Sequence, residues 1–378
     1  MKIAVIAQGA IPAQTANSIQ NMKMAGALAG LGNEVKVFAP GKDAGVSWEQ
    51  LANHYGLTEK FEIQWIPVLA FLRRYDFALR AVRRAQEWGA DLVYTRLPQT
   101  ATLAASRKIP TIFELHDLPS GTMGPWLLSR FFKTPGANRL VVNTKHLEAE
   151  IRKHYQIPNG QEFLMLTPNG VDVQQYENLP SPTAARKQLG LPEGFTAGYS
   201  GHLYQGRGIG LILELARRLP VMRFLLVGGR TEDVAFWKQQ ASQLSNVKFT
   251  GFVPNAQLPL YQAACDVLLM PHEQKVAGSS GADISEFTNP LKMFEYLASG
   301  RPILASDLPI LREILNKENA VLLPSGDMQA WESALTMLMG SPEHRAELSR
   351  AGKKTAAQFS WESRAARVLH GIEKTAKI

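Results

Sequence analysis

NPLKMFEYLASGRPILAS, residues 289–306, reads as loop, helix, tight turn and strand. Pro290 suits the first turn of a helix, where a missing N–H costs nothing. Leu291, Phe294 and Leu297 recur at helical spacing. Gly300 stands at a C-cap position and Pro302 stops any continuation. ILAS (303–306) then reads as a short buried strand. Glu295 falls mid-helix, beside apolar Phe294 and Leu297 and one turn from Lys292. A carboxylate and unpaired backbone N–H groups at the mouth of a parallel sheet suit a pair of sugar hydroxyls and a phosphate. The plain alternative is an ordinary amphipathic helix with a solvated glutamate.

Outward from this stretch, strands alternate with helices in both directions. KIAVIA (2–7), EVKVFA (34–39), FEIQWIPV (61–68), DLVYTR (91–96), TIFELH (111–116), RLVVNT (139–144) and FLMLTPNG (163–170) read as strands of the first half. Helices are expected at 18–31, 71–88 and 145–154. The second half repeats the pattern with FTAGYSG (195–201), RFLLVGG (223–229), VKFTGFV (247–253), DVLLMP (266–271), PILAS (302–306) and AVLLP (320–324). Such alternation predicts α/β architecture with parallel, doubly wound sheets. Proline-rich sequence around Pro180-Ser181-Pro182 marks a hinge between roughly 172 and 193.

The chain has 378 residues, too many for one ordinary core. No run is long and apolar enough to span a bilayer. The N-terminal MKIAVIAQG reads as a first strand rather than a signal peptide. Cys265 is the only cysteine, which excludes an intrachain disulfide or a cysteine-rich zinc site and suits a reducing, cytoplasmic compartment. A net charge of +8 favours anionic partners such as nucleotides, phospholipid surfaces or polyprenyl phosphates. No nucleic-acid-binding signature accompanies it, so no nucleic-acid partner is expected.

The segment 289–306 resembles the nucleotide-sugar signature of the GT-B glycosyltransferases, in particular the large retaining family numbered four. The resemblance covers nearly the whole chain and is most specific over 195–306. It implies two Rossmann-like domains facing a central cleft, residues 1–172 on the acceptor side and 173–360 on the nucleotide-sugar side. A last helix, 361–378, is expected to cross back to the N-terminal domain, with Trp361 at the crossing. Ligands of such sheets sit at the carboxyl ends of the strands, where the strand order reverses.

By this resemblance Glu295 holds the nucleotide ribose, and Asn289, Pro290 and Leu291 offer amides to the diphosphate. In GHLYQGRGIGLILELA (201–216), His202 and Arg207 stand where the family carries arginine and lysine against the diphosphate. Arg207 supplies a fixed charge; His202 is a departure. Gly229 and Arg230 end a strand near the nucleotide, and the backbone at Phe252 and Val253 is expected to hold the base. In ELHDLP (114–119), His116 resembles the histidine that touches the donor sugar, with Asp117 orienting its imidazole or capping the next segment. Gly9 belongs to the loop after the first strand, where phosphate or sugar approaches the backbone. Asn17, Ser18 and Arg96 are the acceptor-side candidates, Asn17 or Ser18 reading equally well as an N-cap.

The family pairs two glutamates eight residues apart. Counting back from Glu295 lands on Phe287, with Glu286 one position off, so Glu286, Asp283, Thr288 or Asn289 takes that place. His116, Arg207 and Glu286 are the catalytic candidates. No D-x-D triplet occurs, and neither a metal nor a resident cofactor is expected. The resemblance implies sugar transfer from a nucleoside diphosphate sugar, UDP by prior, to a glycan or lipid-linked acceptor, in cell-envelope or exopolysaccharide assembly. A non-catalytic nucleotide-sugar-binding scaffold and a sugar-nucleotide epimerase are the alternatives. The helix 71–88 carries Arg73, Arg74, Arg80, Arg83 and Arg84, with Leu72, Leu79 and Val82 expected on one face. That helix is a solvated surface or a contact with anionic lipid at the inner membrane face.

Overall fold

The computed structural model describes residues 1–43, 45–69, 74–158, 162–275 and 285–372. They form two compact units. One is Met1–Asn169 with the C-terminal segment from Trp361; the other is Gly170–Ser360. The expected boundary at 172 lies three residues beyond the observed one. Phe71, Leu72, Arg73, Asp283 and residues 373–378 fall outside the described residues.

The first unit is built on a seven-stranded parallel sheet: β1 (Lys2–Ile6), β2 (Glu34–Pro40), β3 (Glu62–Ile66), β4 (Leu92–Thr95), β5 (Thr111–Leu115), β6 (Ala137–Val142) and β7 (Leu164–Leu166). Their order is β3-β2-β1-β4-β5-β6-β7. Ile3 of β1 pairs with Val35 on one side and Leu92 on the other. The order reverses between β1 and β4. Helices α1 (Ala16–Gly30), α2 (Trp48–Tyr55), α3 (Tyr75–Glu87), α4 (Pro98–Ser106), α5 (Met123–Phe131) and α6 (Lys145–His154) connect the strands.

Helix α1 starts two residues earlier than its apolar stripe suggests. Thr15 is its N-cap, in extended backbone, accepting from Ser18 N at 3.3 Å; neither Asn17 nor Ser18 caps it. On α3 the buried face is Phe77, Ala78, Ala81, Val82 and Ala85, whereas Leu79 is 52% exposed. Leu79 lies two residues, about 200°, round the helix from Ala81, so it leaves the stripe that Val82 joins. The arginines of α3 are partly matched locally, Arg80 to Asp76 at 3.2 Å and Arg83 to Glu87 at 2.8 Å.

The second unit has α7 (Pro182–Leu189), α8 (Ile209–Arg218), α9 (Thr231–Gln240), α10 (Leu258–Ala263), α11 (Leu291–Ser299), α12 (Met328–Gly340) and α13 (Pro342–Ala356) around a six-stranded parallel sheet. The strands are β8 (Thr196–Ser200), β9 (Arg223–Val227), β10 (Val247–Gly251), β11 (Val267–Met270), β12 (Ile303–Ser306) and β13 (Val321–Leu323), ordered β10-β9-β8-β11-β12-β13. Both faces are buried, which is why these strands read as continuous apolar runs. Phe224, Leu226, Val267 and Leu269 pack on one side with Ile212 of α8 and Trp331 and Leu335 of α12. Leu225, Val227, Leu268 and Met270 pack on the other with Phe294 and Leu297 of α11. This sheet reverses order between β8 and β11.

The last helix, α14 (Trp361–Leu369), packs on α1 in the first unit. Trp361, Arg364, Ala365, Val368 and Leu369 form its buried stripe, a 3.6-residue period with one arginine inside it. Arg139 of β6 holds its C-terminal end, donating to the carbonyls of Val368 and, at 2.8 Å, His370. A cation there also complements the helix dipole.

Candidate functional site

In the second unit the candidate residues gather past the strand ends that flank the order reversal. Beyond β8, Gly201 turns at φ 127°, and a side chain there would crowd Lys292 Nζ. Gly208, at φ 72°, is the N-cap of α8. A Cβ at Gly208 would collide with the carbonyl oxygen of Pro271. Glycine is therefore required where the β8–α8 turn meets the end of β11.

That close approach sets Arg207 against His272, which directly follows Pro271. Arg207 Nη1 donates to His272 Nε2 at 3.2 Å. Burial, then Arg207 and Lys292, hold His272 well below the usual histidine range, so it is neutral. With Nε2 accepting, the proton sits on Nδ1, and Nδ1 has no hydrogen-bond partner among the described residues. Lys292 Nζ lies 3.7 Å from the centroid of the Tyr199 ring and also lacks a hydrogen-bond partner among the described residues. Burial and the Arg207 charge push Lys292 well below the usual lysine range, Glu295 opposing them.

Lys292 is in the first turn of α11. Pro290 is the N-cap in extended backbone, not a helical residue, and Gly300 closes the helix in the left-handed region at φ 63°. The first-turn N–H groups at Leu291 and Lys292 precede the intrahelical ladder. Asn289 is buried just ahead of them, and Glu295 is half-buried within electrostatic reach of Tyr176 and Lys292. Glu286 is exposed on the turn 285–287, with no hydrogen bond or ion pair to any described residue. It is not brought to Arg207.

His202 stacks on Tyr204 with centroids 4.6 Å apart and planes 6° from parallel. The Arg230 guanidinium lies 4.9 Å from the same Tyr204 ring. Gly229 is at φ 91°, packed against Leu203 and Val234. Phe252 is exposed and Val253 half-buried, both just past β10.

In the first unit the candidates converge past β1, β4 and β5. Glu114, the penultimate residue of β5, is fully buried. Its Oε1 accepts from Gln20 Nε2 at 2.8 Å, from Arg364 Nη2 at 2.7 Å and from His116 Nε2. Burial alone would raise this carboxyl, but Arg364, His116 and Gln20 bring it to about 2. Burial and Arg96 push His116 down to about 4 against the pull of Glu114. Neutral His116 donates Nε2–H to Glu114, which leaves Nδ1 an acceptor. Glu114, not Asp117, holds the imidazole; Asp117 Oδ1 accepts from Leu118 N at 2.8 Å.

Arg96, just past β4, donates to Asn17 Oδ1 at 2.8 Å and Gln20 Oε1 at 3.5 Å. Gly9 lies against Asn17 Nδ2. Ser18 is buried; its hydroxyl lies 2.6 Å from Tyr55 Oη and reaches the Ala10 carbonyl at 3.3 Å. Those bonds occupy it, so Ser18 leaves the acceptor-side set. Sequence reasoning passed over Arg364, Gln20, Lys292 and His272. A signal existed for His272, which, like His116, lies just past the end of a buried strand. None existed for Arg364, whose partner lies 250 positions away. Among the described residues no three His, Cys, Asp or Glu side chains gather as a metal set.

Residues 20–175 match the family model "Glycosyltransferase Family 4" and residues 194–341 match "Glycosyl transferases group 1". TuaH of Bacillus subtilis, named for teichuronic acid biosynthesis, is 29% identical over 176 residues, 46% of this chain and 41% of that one. The 2-deoxystreptamine glucosyltransferase of Streptomyces kanamyceticus is 26% identical over 306 residues, 72% of this chain and 70% of that one. A D-inositol 3-phosphate glycosyltransferase of Segniliparus rotundus is 26% identical, over 61% of this chain and 50% of its own. The chain thus spans about half the length of several curated relatives it matches. Among solved structures, sucrose-phosphate synthase of Thermosynechococcus elongatus superposes with a TM-score of 0.75 at 19% identity, covering 99% of both chains. HepE of Anabaena, solved with UDP-glucose, gives 0.73 at 19% over the whole of both.

Two doubly wound parallel sheets of this order are the GT-B fold. The chain carries a family 4 glycosyltransferase domain in its N-terminal half and a group 1 glycosyltransferase domain in its C-terminal half.

Proposed function

We propose that the protein transfers a sugar from a nucleoside diphosphate sugar to an acceptor hydroxyl. One observation carries this reading. Past the reversal point of the second sheet, Arg207 stands with two buried donors, Lys292 Nζ and His272 Nδ1, that have no hydrogen-bond partner among the described residues. Unsatisfied buried donors are costly, and an anion relieves them together. The diphosphate of a sugar nucleotide supplies that anion, the α11 N-terminus adds amides, and Glu295 offers a carboxylate to ribose hydroxyls. UDP is the nucleotide we assign, supported by the UDP-glucose complex of HepE.

Departure of the diphosphate leaves an oxocarbenium-like sugar. Arg207 and Lys292 stabilise the charge that builds on the leaving oxygen. His116, an acceptor at Nδ1, offers that nitrogen to a sugar hydroxyl. Retention is the stereochemistry we assign, with the leaving phosphate receiving the acceptor's proton. TuaH's name supports a glycan of the cell envelope as product. Exposed Tyr75 and Leu79 beside Arg80 and Arg83 on α3 are the surface we assign to anionic lipid; co-sedimentation with phosphatidylglycerol vesicles, reduced in Leu79→Ser, checks it. Among the described residues no helix is long and apolar enough to cross a membrane.

A thermal-shift panel with UDP, GDP, ADP, TDP and CDP on wild type and Glu295→Ala tests the donor assignment. A ligand at a hundredfold its Kd stabilises by about 2.7 kcal/mol. UDP should shift the wild type and shift the variant less. Folded protein that responds to none of the five would sink the reading.

A further inference from the structure

We propose that the acceptor carries an anionic group, phosphate or carboxylate, held by Arg96 and Asn17 beside His116. This rests on the transferase reading above. Arg96 follows β4 and Asn17 opens α1 after β1, so both lie at the reversal point of the first sheet, where ligands of such sheets bind. The guanidinium of Arg96 is half-buried, yet its hydrogen-bond partners are two neutral amide oxygens, Asn17 Oδ1 at 2.8 Å and Gln20 Oε1 at 3.5 Å. No carboxylate of the described residues lies within ion-pair distance of it. The buried carboxylate of this region, Glu114, is committed to Arg364, Gln20 and His116.

The other buried arginines of this unit are matched, Arg364 to Glu114 and Arg139 to the end of α14 and Glu162. Arg96 alone of these three has neither a carboxylate nor a backbone carbonyl; its partners are side-chain amide oxygens. The local balance is therefore two guanidinium groups, one carboxylate and a neutral histidine, one positive charge in excess. Amide clamping of Asn17 and Gln20 needs no charge; a buried cation without a counter-ion is unfavourable until an anion arrives. Donors are in place for that anion. Asn17 Oδ1 already accepts from Arg96 and, at 3.0 Å, from Asn21 Nδ2, so its Nδ2 is left to donate. Gly9, with no side chain, leaves that amide uncovered, and Asn17 itself is in the first turn of a 15-residue helix. Arg96 presents a planar fork suited to a phosphate or carboxylate.

The same anion chemistry could come from the donor's diphosphate, and the test separates the two. Inorganic phosphate is titrated into the full chain at pH 7 and constant ionic strength, reading the ring resonances of His116 by NMR, with and without saturating UDP. Expected is a saturable shift that persists with UDP bound, weakens about tenfold or more in Arg96→Gln, and is partly kept by Arg96→Lys, which retains charge without the fork. A response that UDP abolishes would assign Arg96 to the donor and overturn the acceptor assignment. No saturable response, or an equal one in folded Arg96→Gln, would overturn the site altogether. Failure of UDP to stabilise the protein in the thermal-shift panel would sink the transferase reading itself, and the acceptor with it, whatever phosphate does.

Discussion

Replacing Arg364 with methionine removes the charge on which the His116 network depends. Arg364 is 3% exposed and Glu114 fully buried, 2.7 Å apart. A carboxyl brought from 4.5 to about 2 represents about 3 kcal/mol of preference for the ionised form. Breaking a buried pair by removing one partner costs about 3–5 kcal/mol, so Arg364→Met should destabilise the first unit by about that much in urea unfolding. Glu114→Gln alone should also destabilise. The double variant should cost clearly less than the sum, with about 2 kcal/mol of coupling.

The sign of the histidine response makes the test specific. Arg364 disfavours charge on His116 and Glu114 favours it, so Arg364→Met should raise the His116 pKa above about 4 and Glu114→Gln should lower it further. NMR titration of the ring reads both. The pH dependence follows the same signs. Glu114 adds stability above its unfolded value of 4.5, and that contribution disappears as pH falls towards about 2. Buried neutral His116 loses stability as pH falls from 6.5 towards about 4. Additive unfolding energies, or a His116 titration that moves the same way in both variants, would refute the network as drawn.

Arg207→Met and Lys292→Met should each lower kcat by about a hundredfold to a thousandfold in steady-state assays with UDP-sugars, as loss of a donor to a developing oxyanion does; a change confined to KM would remove them from the leaving-group role. Lys292 is depressed before ligand arrives, so UDP binding should raise it and draw in a proton at a pH where it is neutral in the free protein. Calorimetry in buffers of different ionisation enthalpy would show this, and Lys292→Met should abolish it. Gly208→Ala, at φ 72° and against the Pro271 carbonyl, should destabilise the second unit by about 1–3 kcal/mol or more and abolish the UDP-dependent thermal shift. An unchanged melting temperature would show that the β8–α8 turn is not held as described.

The alternation of strand and helix, the paired sheets and the signature around Glu295 were determined by the sequence alone. These are local properties: two-sided burial writes continuous apolar runs, and α11 carries its own stop at Gly300. Arg207 was legible through its position in a segment that resembles the family; the glycine-rich turn alone reads as structural. What the sequence left open were contacts between residues far apart in the chain. The Ser18 hydroxyl is spent on Tyr55, and the cap belongs to Thr15. His116 is oriented by Glu114 rather than by adjacent Asp117, because Glu114 lies on the buried face of β5 where α1 and α14 supply Gln20 and Arg364. Arg364 sits on a helix whose period announces burial but not its partner. Arg96 was legible as an acceptor-side candidate, but not its setting among neutral amides, and nothing in the sequence announced that Lys292 would lie against Tyr199. The periodicity of a chain dictates which faces are buried. Which charges end up facing each other, matched or unmatched, depends on the order of strands across a sheet, and that order is decided only when the sheet assembles.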